Sequence, residues 1–222
     1  SSYLAYQITK NNLWLAVIGC IADWYYPDFI KDFIKQYPGV LEANSKNPEE
    51  ILFNSKLSRV IKLIGLLLKD STTEINKSIS VLEKIESPIE LIEISSSKAK
   101  YLYRKAKKAE TTYDKLLALA LKQKVDNGIL FFEYPSSEWS FTSQLSTEIN
   151  YLSKAKVNIV ARVDNNSYKL SLRSKTIDLQ GLMPHLLEGL SGYGGGHKFA
   201  TGATVSKQDF PEFISRLKSK IK

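Results

Sequence analysis

Apolar positions recur along the whole chain, and their spacing changes near residue 127. Before that point the pattern is helical. Ser2 to Lys10 reads as an amphipathic helix end. Leu13 to Ala22 (LWLAVIGCIA) is a continuous apolar run closed by Asp23; it is a buried strand or a buried helix, and periodicity does not choose between them. Pro27, Pro38 and Gly39 bracket a short helix with an apolar face at Phe29, Phe33 and Ile34. Pro48 opens a longer one from Glu49 to Lys69, whose stripe is Ile51, Leu52, Leu57, Val60, Ile61, Ile64 and Leu68. Glu74 to Lys84 is a further helix, ended before Pro88. Lys98 to Lys124 holds no Gly or Pro, and Leu102, Ala106, Ala109, Tyr113, Leu116, Leu117 and Ala120 trace one face of a single long helix.

After Asn127-Gly128 the pattern mixes two periods. Ile129 to Tyr134 reads as a strand and Gln144 to Leu152 as a helix. Val157 to Val163 and Tyr168 to Arg173 flank Asp164-Asn165-Asn166-Ser167, a β-hairpin signature. Ile177 to Leu190 is helical with Pro184 limiting or kinking it, Thr201 to Val205 is a strand, and Asp209 to Ile221 is a closing helix. The expectation is an α/β chain: a helix-rich part at 1–70, a helical connector at 71–126, and a small mixed-sheet domain at 127–222.

Composition narrows the class. Of 222 residues 43% are hydrophobic, which excludes disorder over most of the length, and no apolar run approaches the roughly 18 residues that a membrane span needs. The single cysteine, Cys20, excludes an internal disulfide framework and points to a reducing, cytoplasmic setting. The sole methionine is Met183, so the chain reads as a piece of a longer product. The net charge is +8, and it is concentrated. Between Ser95 and Val125 nine Lys or Arg stand against Glu110 and Asp114; between Tyr151 and Lys175 six stand against Asp164. Such local positive fields attract polyanions through phosphate contacts and counterion release. A solvated lysine-rich surface is the plain alternative.

Ser191-Gly-Tyr-Gly-Gly-Gly-His-Lys-Phe-Ala-Thr-Gly202 is the most informative segment. Consecutive glycines expose backbone N–H groups and permit positive φ, so Gly194, Gly195 and Gly196 can fold closely around an anion as a loop. His197 and Lys198 follow at once and can donate to the same phosphate. The spacing is not that of a Walker A loop. Arg173 is a candidate phosphate clamp, since its planar fork matches phosphate oxygens, with Ser171 and Ser174 beside it. Tyr193 is placed to stack on a base, whereas His185, Trp24, Tyr25 and Tyr26 read as packing or surface residues. Asp23 is either a metal ligand or a helix N-cap before WYYPDF.

The run GGGHKFATGA resembles the GGGH signature of the DHH-associated domain, the C-terminal domain of the DHH phosphoesterases. Lys169-Leu-Ser-Leu-Arg-Ser174 is similar to the strand before that signature, whose Ser and Arg line the phosphate site. Val17-Ile-Gly-Cys-Ile-Ala-Asp23 resembles the last motif of the DHH catalytic domain, an apolar strand ending in Gly-x-x-x-Asp whose Asp is a metal ligand. The resemblance implies a RecJ-like, archaeal-type protein that binds single-stranded DNA or RNA, with His197 as a catalytic or phosphate-binding group and Asp23 as a ligand of manganese or magnesium. It also implies partners such as GINS or a helicase. The family's Asp-x-Asp, separate Asp and Asp-His-His motifs are absent from this sequence. A two-metal centre needs more ligands than one carboxylate. The chain is therefore expected to bind rather than cleave by itself, as a catalytically incomplete relative or as the C-terminal portion of a manganese-dependent exonuclease or oligonucleotide phosphodiesterase.

Overall fold

The computed structural model describes residues 1–42 and 45–221. The chain divides into two compact units, Ser1–Glu110 and Thr111–Lys222.

The first unit is built from helices α1 (Ser2–Thr9), α2 (Leu13–Ala22), α3 (Ile30–Gln36), α4 (Pro48–Asn54), α5 (Lys56–Leu67), α6 (Thr72–Leu82) and α7 (Pro88–Ile92), with the first part of α8 (Ser97–Leu121). The Leu13–Ala22 run is a helix, not the strand that the motif resemblance implied. It is apolar all round because it is buried: Trp14, Val17, Ile18, Cys20 and Ile21 are all in the core. Gly19 lets α1 approach, since a Cβ there would collide with the Ser2 side chain.

The expected helix from Glu49 to Lys69 is broken at Ser55. Its side chain accepts from Leu57 N (3.1 Å), and Ser58 Oγ accepts from Ser55 N (2.9 Å), a reciprocal cap that starts α5 afresh. The break shifts the buried stripe. Leu63, Leu66 and Leu67 are buried, while Leu68 is exposed.

The second unit holds the rest of α8 and a six-stranded sheet. Its strands are β1 (Val125–Asp126), β2 (Ile129–Pro135), β3 (Val157–Val163), β4 (Ser167–Ser174), β5 (Gly192–His197) and β6 (Ala200–Ser206), in the order β1-β2-β3-β4-β6-β5. Only β2 and β3 are parallel, joined through α9 (Thr142–Leu152). Helices α10 (Leu179–Leu187) and α11 (Phe210–Lys220) cover one face. There Ile159, Leu170, Leu172 and Val205 pack with Leu179, Met183, Phe213 and Leu217. Leu130, Phe132, Tyr134 and Val160 point to the other face, where α9 contributes Leu145 and Ile149. Tyr113 of α8 meets Phe141 edge-on at 5.5 Å and donates to Glu148 at 2.6 Å.

The sheet ends at β5. One carboxylate ties its start down: Asp209 Oδ2 accepts from Ser191 N and from Ser206 Oγ, both at 2.8 Å. The Ser206 hydroxyl bond and the Ser191 backbone bond hold the Asp209 carboxyl below its usual range. A group whose folded pKa is depressed stabilises above its unfolded value, near 3.9 for Asp, and loses that contribution as pH falls through the folded value. Amide exchange at Ser191 is therefore expected to accelerate below about pH 4 relative to β3. Asp209→Asn should bring the same acceleration at neutral pH.

Candidate nucleic-acid interface

The glycine cluster is not a loop. Gly192–His197 forms the edge strand β5, paired antiparallel with β6 through a two-residue turn at Lys198-Phe199. One bond fixes which groups face outward. Ser206 N donates to Ser191 O (3.0 Å), so Ser191 and Ser206 are a hydrogen-bonded pair. Such pairs alternate along an antiparallel ladder. The N–H groups of Tyr193, Gly195 and His197 are thus turned to β6, and those of Gly192, Gly194 and Gly196 are turned outward at the sheet edge.

The three glycines differ in what they permit. A Cβ at Gly194 would lie 2.9 Å from Ala203 Cβ and 3.0 Å from Met183 Sδ, so glycine there lets β5 settle onto α10. Gly196 has φ +145°, and a Cβ would lie 2.5 Å from the Ala200 carbonyl. A Cβ at Gly195 would meet nothing within 4 Å.

Strand register sets the rest of the site. Ser171 pairs with Gly202, which pairs with Gly195; Arg173 pairs with Ala200, which pairs with His197. Residues directly opposite in a ladder share a face. Arg173 and His197 therefore stand on the same face, two strand spacings or about 10 Å apart. Between them and the next row, Lys169-Thr204-Tyr193, runs a bare floor of Gly202 and Gly195. Helix α9 packs over β3 and β4 on this face, so β6 and β5 extend beyond it. His197 is exposed and Tyr193 is 73% exposed.

Arg173 is gripped by neutral oxygens. Its Nε donates to Thr147 Oγ1 (3.3 Å), and its Nη2 donates to Ser143 Oγ (3.0 Å). Its Nη1 donates to Ser171 Oγ and to the Leu172 carbonyl (both 2.9 Å). Among the described residues no carboxylate pairs with it, and burial pushes the guanidinium below its ordinary value. It remains charged at any biological pH.

The other sequence candidates fall elsewhere. Ser171 is 6% exposed and holds Arg173 rather than solvent. Ser174 points to the opposite face; its Oγ donates to the Lys156 carbonyl and accepts from Thr176 N and Ile177 N, so it closes a turn. Lys198 sits in the β5–β6 turn, its ammonium 5.4 Å from the Phe199 ring centroid. Asp23 belongs to the first unit, as the exposed residue closing the C-terminus of α2 and not as the N-cap of α3. Among the described residues no group of three or more His, Cys, Asp or Glu is placed to hold a metal ion. The residues present thus do not fit a two-metal centre. The sequence reading missed Ser143, Ser146 and Thr147. Their i, i+3, i+4 spacing on α9 was the available signal.

Residues 136–222 match the family model of the DHHA1 domain, a span that takes in β3 to β6 and helices α9 to α11. No curated protein matches the chain. Several solved structures share its fold, two of which follow. RecJ of Thermus thermophilus, in complex with Mn2+, superposes over 93% of this chain at 18% identity with a TM-score of 0.60. The pGpG-specific phosphodiesterase PggH of Vibrio cholerae superposes over 96% of this chain at 12% identity with a TM-score of 0.57. This chain spans 32% of the RecJ chain and 75% of the PggH chain.

The geometry separates two glycine substitutions. Gly195→Ala should leave the urea midpoint within the equivalent of about 1 kcal/mol, since its Cβ enters open space. Gly196→Ala should destabilise by about 1–3 kcal/mol through its backbone conformation and the Ala200 carbonyl.

Proposed function

We propose that this chain binds single-stranded nucleic acid across the open face of β4, β6 and β5. Arg173 and His197 contact phosphate, and Tyr193 offers a ring to a base. The observation that carries the reading is the guanidinium of Arg173, half-buried and fixed by four neutral acceptors with no carboxylate partner among the described residues. Taking a cation from water without a counter-ion is costly, and the cost is recovered when an anion arrives. A phosphate matches the guanidinium fork. Its access is open, because Gly195 and Gly202 carry no side chain over the floor beside it.

Single strands fit this face through exposed Tyr193, since every base has a π-face to stack. The fold shared with RecJ and PggH, and the DHHA1 match, support a phosphate-bearing ligand. The GGGH and Gly-x-x-x-Asp resemblances extend the reading to a catalytically incomplete RecJ-like protein of DNA replication or repair, with GINS or a helicase as partner. Binding, rather than hydrolysis, is the activity that these residues perform.

The test is fluorescence anisotropy with a 20-residue oligothymidylate over a salt series. Arg173→Gln should weaken binding about tenfold or more, as expected for a charge-assisted bond, and lower the log–log salt slope by about 0.7. Unchanged affinity in Arg173→Gln, or equal affinity for heparin, would reduce the interaction to the general positive charge of the surface.

A further inference from the structure

The hydroxyls around Arg173 have a fixed direction. Each carries one proton. Ser146 Oγ donates to the Ser143 carbonyl (2.9 Å), so its proton is spent. Ser171 Oγ and Ser146 Oγ are 2.8 Å apart, and Ser171 must then be the donor. Ser171 in turn accepts from Arg173 Nη1. On the other side Thr147 Oγ1 accepts from Arg173 Nε and donates to the same Ser143 carbonyl (2.9 Å). Two relays thus run from the guanidinium into one carbonyl of α9. Ser146 and Ser171 are buried, so neither reaches a ligand.

Ser143 is the exception. Its Oγ accepts from Arg173 Nη2, it is exposed, and its own proton has no acceptor among the described residues. Arg173 has five N–H groups, four of them engaged, which leaves one on Nη2. The two uncommitted donors therefore sit on neighbouring atoms 3.0 Å apart.

We propose that Ser143 is a second direct donor to the phosphate that Arg173 binds, and that Ser146 and Thr147 are positioning residues that act through Arg173. This rests on the nucleic-acid reading above and adds α9 to the binding surface. A neutral hydroxyl beside the guanidinium supplies a bond with direction but no charge, so it contributes affinity without adding to the salt slope.

The experiment is a set of double-mutant cycles with the 20-residue oligothymidylate, on the full chain, with urea midpoints recorded for every variant. Ser143→Ala should weaken binding about fivefold to tenfold with an unchanged salt slope, and should still weaken it in the Arg173→Gln background. Thr147→Val should weaken binding about threefold to tenfold in the parent, have no effect in the Arg173→Gln background, and be rescued by Thr147→Ser. The inference is overturned if Arg173→Gln weakens binding while Ser143→Ala does not, or if Thr147→Val costs the same without Arg173. Should Arg173→Gln itself leave binding unchanged, the nucleic-acid reading fails first and this inference with it.

Discussion

The second unit is organised around a guanidinium held by hydroxyls. Arg173 belongs to β4, and three of its four acceptors are side chains, two of them on α9. One residue therefore joins strand to helix and sets the angle of the fork. A carboxylate in that place would have been the simpler way to bury a cation, because it cancels the charge. Hydroxyls and a carbonyl engage four of its five N–H groups and leave the charge standing. That choice keeps the site unsatisfied electrostatically while it is already rigid, the condition for binding an anion without reordering side chains.

The glycine strand complements this by what it lacks. An edge strand normally invites another strand, and charge, proline or cover suppresses that. Here β5 carries four glycines, one tyrosine and one histidine, and α10 covers one of its faces. The missing side chains have two separate uses. At Gly194 the absence of Cβ admits Met183 and Ala203 beneath the strand. At Gly195 the absence leaves the opposite face open above it. A single run of glycines thus serves packing below and access above, because alternate residues of a strand point to opposite faces.

The first unit carries a different lesson. Asp23 lies at the end of a helix buried nearly all round, in a sequence that resembles a metal-ligand motif. A motif is only as good as the groups it meets. The described residues place no ligand cluster around it, so the motif contributes an exposed carboxylate at a helix end.

The sequence alone determined the change of period near residue 127, the hairpin at Asp164–Ser167 and the long helix after Ser96, and it offered Arg173 with the Gly-Gly-Gly-His run as candidates. These signals are local, written in spacing and turn residues. Tertiary structure decided the rest. The Leu13–Ala22 run is a buried helix on which α1 packs at Gly19, and the stripe after Pro48 was reset by the Ser55 cap. The glycine run became a strand through the hydrogen bonds of β6, since residues without side chains leave no periodicity to read. Above all, the pairing of Arg173 with Ser143 and Thr147 spans 30 and 26 residues of sequence. Periodicity reports which positions are buried; which partner lies across from each is settled only when sheet register and helix packing bring distant segments together.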